Sequence, residues 1–335
     1  MPARPAQAES SRSGMALILA LGAIALAGGL AFWMQARSLG ALRAAERDLA
    51  VERLRLAGAE AVRLAMLTLR EDDDYAVDSE ADAWAEPRSW TTEDGIALRT
   101  VTEDAGRWFD WNNLAATNDL SRTPRTVLLD LMAACGRFDA DARTDALRDY
   151  VDADSEGPYE TAFYRFADRP FSPPDRPLRA PDELLDVHDF PPDLFLPRRG
   201  AAPRAGGWTD GDLAASCALV PAAVGATRAA PLPVNLNTAS RAVLMGVFGP
   251  ERESAVSALL ALRAVQPLES AAMLAAVDPS AVEELEPWTA VASPYFRITV
   301  QAALPGASAT VTAWVERGTD GGVRILQWIE SGGGA

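Results

Sequence analysis

A stretch of twenty residues without a charged side chain, residues 15–34, most strongly constrains what this chain can fold into. At the rise of an α-helix it is about 30 Å long, which matches the hydrocarbon core of a bilayer. No proline occurs between Pro5 and Pro87, and residues 37–70 are rich in Ala, Leu, Glu and Arg, which favour helix. We therefore predict one helix from Met15 to about Arg70, with one half in lipid and the other half packed on a soluble domain.

The polar segment before the apolar stretch, residues 1–14, fits two kinds of membrane targeting. A general secretory signal carries its small-residue cleavage site after the apolar region, whereas here the small residue Gly14 precedes it. The segment therefore belongs either to an uncleaved signal anchor or to a leader that is removed after Gly14, which leaves Met15 as the first mature residue. Arginines are similar in number on both sides, so the positive-inside rule does not set the orientation.

Hydrophobic periodicity predicts how the rest of the chain is arranged. After a polar loop that extends to about residue 93, alternation predicts strands over residues 95–102, 295–303, 309–317 and 323–330. Short helices are predicted over residues 126–135, 144–151, 182–187, 239–247, 254–264, 271–276 and 280–285. Because a lone early hairpin would bury little, we expect the early and late strands to form one antiparallel sheet against the long helix.

The fold class predicted from these elements is α+β, with a mostly helical domain inserted in the sheet. The predicted segments are a leader (1–14), the transmembrane half of the helix (15–34), a core in two parts (35–112 and 291–335) and the inserted domain (113–290). Residues 110–114 are echoed weakly by residues 234–238, which indicates two related helical subdomains.

The residue types that carry most catalysis give no recognisable set here. The single histidine, His188, has no nucleophile motif or metal-ligand spacing around it, and no phosphate-binding or dinucleotide fingerprint occurs. We therefore predict a protein that is not an enzyme and has no organic cofactor. Cys135 and Cys217 could form a disulfide outside the cytoplasm, and two buried thiols fit the sequence equally well.

An acidic segment is the best candidate for a metal site. Oxygen-bearing residues at alternate positions are followed by Gly157, as in the first half of a calcium loop, but Phe163 stands where an EF-hand needs its closing glutamate. A calcium site would therefore need further carboxylates, and the alternative is a solvated acidic turn. The candidate ligands are Asp149, Asp152, Asp154, Glu156 and Glu160.

A second segment, residues 234–263, is similar to helix-hairpin-helix modules, which hold DNA phosphates at helix N-termini. This similarity suggests an alternative function, a membrane-tethered DNA-uptake or DNA-binding protein. Glu251 and Glu253 lie at the predicted hairpin and oppose phosphate binding. The net charge of −16 also argues against nucleic acid as the main partner, because phosphate neutralisation needs a basic surface.

Taken together, several stretches resemble general secretion pathway protein K, the large minor pseudopilin of type II secretion systems. They are residues 13–17, 109–114, 150–154 with Glu160, 182–185, 234–240 and 293–298, and they occur in the family's order. Within them, the residues that match the family motif are Asp110, Asn112, Asn113, Asn235, Asn237 and Thr238.

The resemblance implies a pilin-like fold whose sheet is interrupted by a large helical domain. It also implies cleavage after Gly14 by the prepilin peptidase, N-methylation of Met15, and a single-pass inner-membrane protein whose soluble domain lies in the periplasm. Members of the family are thought to cap the pseudopilus with minor pseudopilins I and J. Calcium bound in the family's soluble domain strengthens the prediction for residues 152–160.

One departure from other pilin-like subunits occurs at Leu19, the fifth residue of the predicted mature chain. Most such subunits carry glutamate there, and a carboxylate in lipid is costly unless it meets a partner charge. The expected partner is the N-terminal amine of the subunit above. A subunit at the fibre tip has no subunit above it, so Leu19 is consistent with a tip position.

Overall fold

The long N-terminal helix is the first element of the fold. The computed structural model describes residues 9–166, 170–195, 213–221 and 229–334, so residues 1–8 of the predicted leader and parts of the proline-rich loops lie outside the described residues. The helix α1 spans Glu9–Arg70, and it ends where the sequence predicts. Its Met15–Arg70 part is long and apolar enough to cross a membrane, and its most apolar stretch is not buried against the rest of the described chain.

Short elements make up the rest of the described chain. The strands are β1 (Arg88–Thr91), β2 (Ala97–Asp104), β3 (Phe109–Asp110), β4 (Cys217–Ala218), β5 (Val234–Asn235), β6 (Thr289–Ala290), β7 (Tyr295–Leu304), β8 (Ala307–Arg317) and β9 (Val323–Gly334). The further helices are α2 (Pro124–Ala134), α3 (Asp141–Val151), α4 (Thr161–Tyr164), α5 (Leu213–Ser216), α6 (Arg241–Phe248), α7 (Glu253–Arg263) and α8 (Val282–Leu285).

A five-stranded antiparallel sheet in the order β1-β2-β7-β8-β9 packs against the second half of α1. Alternation along β7 places Phe296, Ile298 and Val300 in the buried layer between sheet and helix. Each fully buried side chain of this kind contributes roughly 1.5–3 kcal/mol, so this layer fixes the helix to the sheet. Gly58 allows a close approach, because a Cβ there would lie 2.8 Å from Cγ2 of Val311.

The chain between β2 and β7 forms the inserted helical block, which has its own hydrophobic core. Phe109, Phe248 and Trp288 are fully buried in it. The Phe109 and Trp288 rings stack with their centroids 6.5 Å apart, so the start and the end of the block pack on each other. Two short parallel pairs, β3 with β4 and β5 with β6, join distant parts of the block.

The structure differs from the predicted elements in its short pieces. Strand β1 lies inside the segment predicted as a polar loop, and its mostly exposed residues show no alternation that would reveal it. It exists because it pairs with β2, with Trp90 opposite Leu98. The helices predicted over residues 182–187 and 271–276 are 3₁₀-helices, Pro181–Leu185 and Ala271–Ala276.

Candidate metal centre

Three carboxylates converge in the inserted block. One oxygen each from Asp152, Asp154 and Glu160 lies within 4.8 Å of the other two. Two helix ends position them: Asp152 is the residue after α3, and Glu160 is the residue before α4. The loop between the two helices therefore folds back so that its acidic side chains face one point.

Two oxygens of this cluster lack hydrogen-bond partners among the described residues. Asp152 Oδ1 and Glu160 Oε1 are both buried without a hydrogen bond. Burial raises the pKa of Asp152 to about 6, and the charge of Asp154 adds to this rise. Burial and then the charge of Asp149 raise the pKa of Glu160. Arg148 Nε lies 3.3 Å from the other oxygen of Asp152, and this is the ion pair that the described residues give Asp152, so the cluster holds a surplus of negative charge.

Asp149 holds the loop rather than joining the three converging oxygens. It is buried, and Tyr159 N donates a hydrogen bond of 2.9 Å to its Oδ2. A Cβ on Gly157 would lie 2.0 Å from the same oxygen, so the loop passes close to this carboxylate only because residue 157 is glycine. Burial raises the pKa of Asp149. The side chain of Glu156 is exposed and lies outside the cluster, while its N–H donates to Asp154 Oδ1 at 2.7 Å.

The structure adds one acidic residue that sequence reasoning missed. Asp175 lies close enough for its charge to contribute to the raised pKa of Glu160. It adopts φ = 46°, in the left-handed region, within a loop between prolines. No sequence pattern links it to the acidic segment, because the two meet only in the folded domain.

Oxygen ligands alone, on a flexible loop, are the chemistry that Ca²⁺ prefers. The residues therefore fit a calcium ion, because three carboxylates each bring an oxygen within 4.8 Å of the others, and Asp152 and Glu160 each have a buried oxygen without a hydrogen bond among the described residues. A second group of carboxylates does not fit a calcium ion. Asp72, Asp78 and Asp82 also approach within 4.8 Å, but Arg317 already pairs with Asp72 at 3.0 Å and with both oxygens of Asp78 at 2.7 Å.

Asp110, Asn112 and Asn113 form the first asparagine motif, and they hydrogen-bond to two loops that are distant in sequence. Asn112 Nδ2 donates to the Leu178 carbonyl at 3.0 Å, and Leu178 N donates back to Asn112 Oδ1 at 2.7 Å. Asn113 makes the same reciprocal pair with Leu232, at 3.3 and 2.7 Å. Asp110 Oδ1 accepts from Asn112 N at 3.2 Å and so starts the turn that holds both. These residues are buried, and their hydrogen bonds hold the two loops in place.

Asn235, Asn237 and Thr238 form the second asparagine motif, which also holds a loop and in addition hydrogen-bonds to the sheet. Asn237 pairs reciprocally with the backbone of Leu268, at 3.0 and 2.8 Å. Asn235 Nδ2 and Thr238 Oγ1 donate to Asp104 Oδ2 at 2.7 and 2.6 Å. Asp104 is the last residue of β2, so this motif ties the inserted block to the sheet. Burial raises the pKa of Asp104, and these donors oppose the rise.

The predicted processing positions all lie on α1. Gly14 and Met15 fall within the helix, which runs without a break through the expected cleavage point. Leu19 is exposed on the same apolar segment. The structure thus places these residues in or next to the exposed apolar stretch of α1, while cleavage and methylation stay predictions.

The histidine and the two cysteines that the sequence singles out pack against neighbouring side chains in the inserted block. His188 is exposed, with its ring 5.1 Å from that of Tyr159. Cys217 is a buried thiol whose pKa is raised well above its usual range by burial. Cys135 Sγ lies 4.0 Å from Ser216 Oγ, next to Cys217, and the structure contains both cysteines as thiols.

The helix-hairpin-helix similarity reaches only the two helices, α6 and α7. Their hairpin turns at Gly249, which adopts φ = 88°. The hairpin carries Glu251, and Arg252 is already paired with Glu284 at 2.6 Å and with Asp278 at 3.3 Å. A phosphate would meet a carboxylate here instead of an open helix N-terminus.

Comparison with known proteins identifies a solved structure with the same fold. No protein-family model and no curated protein matches the chain. Among solved structures, a chain of the GspK-GspI-GspJ complex from the type 2 secretion system of enterotoxigenic Escherichia coli matches it with a TM-score of 0.62 and 19% identity, covering 85% of this chain and 98% of that one. The chain shares the fold of that chain of the complex. The α+β prediction, with a long helix on an antiparallel sheet interrupted by a helical domain, is confirmed.

Proposed function

We propose that this chain is a minor pseudopilin of a type II secretion system, a structural component and not an enzyme. Its role is to cap the pseudopilus tip together with minor pseudopilins I and J and to help initiate fibre assembly. The observation that carries the proposal is the extent of the shared fold, because the match spans 98% of a chain from a secretion complex and 85% of this chain.

The exposed face of α1 supports a role in a helical fibre. Leu42, Leu49 and Leu56 recur every seven residues and are exposed. We call these three residues the leucine stripe. Leucines at this spacing suit packing against a second helix, since a period of seven keeps one seam facing the partner.

In this role the apolar half of α1 is first a span of the inner membrane, with the soluble domain in the periplasm. The prepilin peptidase removes the leader after Gly14, and Met15 becomes the methylated N-terminus. The fifth mature residue is then Leu19, which needs no partner charge in lipid. This supports a position at the tip, where no subunit lies above.

We also propose that Asp152, Asp154 and Glu160 hold a calcium ion, with Asp149 positioning the loop. A bound cation would supply the charge that the cluster lacks and would fix the path between α3 and α4. The buried, unpartnered oxygens of Asp152 and Glu160 support this assignment. The DNA-binding alternative has no such support, because acidic side chains occupy the hairpin and the net charge is −16.

Mass spectrometry of the protein from a host that carries the secretion system tests the assignment. We expect a mature chain that begins at methylated Met15, and a Gly14→Leu variant that keeps its leader and fails to restore secretion. Ser13→Ala serves as the matched control and should be processed normally. An intact Met1 on the wild-type chain would overturn the pseudopilin proposal.

A further inference from the structure

The rings of Tyr159, Phe163 and His188 pack together beside the candidate calcium loop, and none of these residues is among the candidate ligands. The Tyr159 and His188 rings stack with their centroids 5.1 Å apart. The Phe163 centroid lies 4.7 Å from that of His188 and 4.9 Å from that of Tyr159. Aromatic rings attract each other at centroid distances of about 4.5–7 Å, so each ring is held by the other two. We call these residues the ring cluster.

His188 joins the ring cluster from a segment that other contacts hold in place. Its backbone N–H donates to the Tyr164 hydroxyl at 3.1 Å. The next residue, Asp189, accepts from Arg143 Nε through its carbonyl and through Oδ2, both at 3.0 Å, and Arg143 lies on α3. Phe190 is buried in the core of the inserted block. The backbone of His188 is therefore fixed, although its side chain is exposed.

The ring cluster flanks Glu160, which stands between Tyr159 and Phe163 in the sequence. The Glu160 carbonyl accepts from Phe163 N at 2.8 Å, but its Oε1 is buried without a hydrogen bond among the described residues. Burial and the charges of nearby aspartates raise the pKa of Glu160. Like charges repel each other, so a carboxylate at this point needs neighbours that keep it there. Packing of the flanking rings supplies this restraint.

We propose that His188 is a positioning residue for the candidate calcium site, because its ring packs on Tyr159 and Phe163 and thereby holds Glu160 beside the other carboxylates. The inference rests on the proposed calcium site and names a residue that acts through one of its ligands. Phe163 stands where an EF-hand carries its closing glutamate, and here its ring restrains a neighbouring glutamate instead. A site whose charged groups are already in place loses less entropy on binding, which increases its affinity.

Calorimetric titration of the full-length chain in detergent with calcium chloride tests this. His188→Ala removes the ring, and we expect the calcium affinity to fall about tenfold or more, as for other residues that orient a metal ligand. His188→Phe keeps an aromatic ring at the same place and should bind calcium as the wild type does. Leu185→Ala, at an exposed residue of the same segment, is the matched control and should also bind normally.

NMR of the imidazole ring provides a second measurement, because His188 is the single histidine of the chain. We expect its ring C–H signals to be shifted from random-coil positions in the EDTA-treated wild type, since the ring cluster forms before calcium binds. Signals that start at random-coil positions and move only when calcium is added would overturn the proposal, because the cation would then order the rings.

The outcomes separate the positioning role from the calcium site. If the wild-type chain binds no calcium, the calcium site and the positioning role both fall. If the wild type binds calcium and His188→Ala binds it equally well, the positioning role alone is wrong. Equal losses in His188→Ala and His188→Phe would also contradict it, because ring packing would then not determine the affinity. A loss in His188→Ala that His188→Phe restores supports it.

Discussion

Replacing Arg317 should lower the thermal stability of the protein, because Arg317 joins strand β8 to the segment after α1. Its guanidinium is 3% exposed and contacts both oxygens of the fully buried Asp78 at 2.7 Å, as well as Asp72 at 3.0 Å. Breaking a buried ion pair by removing one partner costs roughly 3–5 kcal/mol, since the remaining charge stays buried. For a domain of this size we therefore expect Arg317→Met to lower Tm by on the order of 10 °C.

The matched control is Arg324→Met. Arg324 pairs with Glu316, but its side chain is 66% exposed, and such pairs contribute about 0–1 kcal/mol. Thermal unfolding of the full-length variants, followed by near-UV circular dichroism in detergent, measures both. Equal Tm values for Arg317→Met and Arg324→Met would refute the reasoning, because they would show that burial of the pair does not matter.

The pH dependence of this variant provides a second check. Burial raises the pKa of Asp78, and the charge of Arg317 is the main effect that opposes this rise. Without Arg317 the folded-state pKa lies further above the unfolded value, so stability is lost as pH rises through it. The difference in Tm between wild type and Arg317→Met should therefore be larger at pH 8 than at pH 5. Asp78→Asn in the Arg317→Met background should recover part of the loss at pH 8.

Three further predictions concern the carboxylate cluster and the tip position. Calcium should raise the Tm of the wild type and of Glu156→Gln, and EDTA should reverse this increase, whereas the Tm of Asp152→Asn should not respond to calcium. The increase should be smaller at pH 5 than at pH 7.5, because protons compete with calcium for Asp152, whose pKa is about 6. Gly157→Ala should lower stability by roughly 1–3 kcal/mol in urea unfolding and weaken calcium binding in calorimetry, since its Cβ would displace Asp149. Leu19→Glu should impair pseudopilus initiation in a secretion assay, and unchanged secretion would contradict the tip assignment.

The large elements could be predicted because local pattern and tertiary role agree in them. The end of α1 at Arg70 followed from helix-forming composition and the acidic residues after it. The strands β7 and β8 followed from alternation, and their hairpin follows from Gly306, which adopts φ = 81°. Joining them to β2 required only the argument that a lone hairpin buries too little.

The candidate site could be predicted only where it is local in sequence. Asp152, Asp154 and Glu160 share one loop, so their spacing was informative. The contribution of Asp175 and the role of Gly157 beside Asp149 arise from chain crossings that spacing does not encode. Likewise β1 has no alternation of its own, so its pairing with β2 could be identified only in the folded structure.

The junction between sheet and inserted domain explains why the two asparagine motifs differ. A domain joined to a sheet by two short connections would rotate unless further contacts fix it. Asp104, at the end of β2, accepts from Gly106 N at 2.7 Å and from Asn235 and Thr238 of the second motif. All four residues are buried, so these hydrogen bonds do not compete with water. The second motif therefore fixes the orientation of the inserted domain, and the first motif, whose asparagines pair with Leu178 and Leu232, fixes its loops.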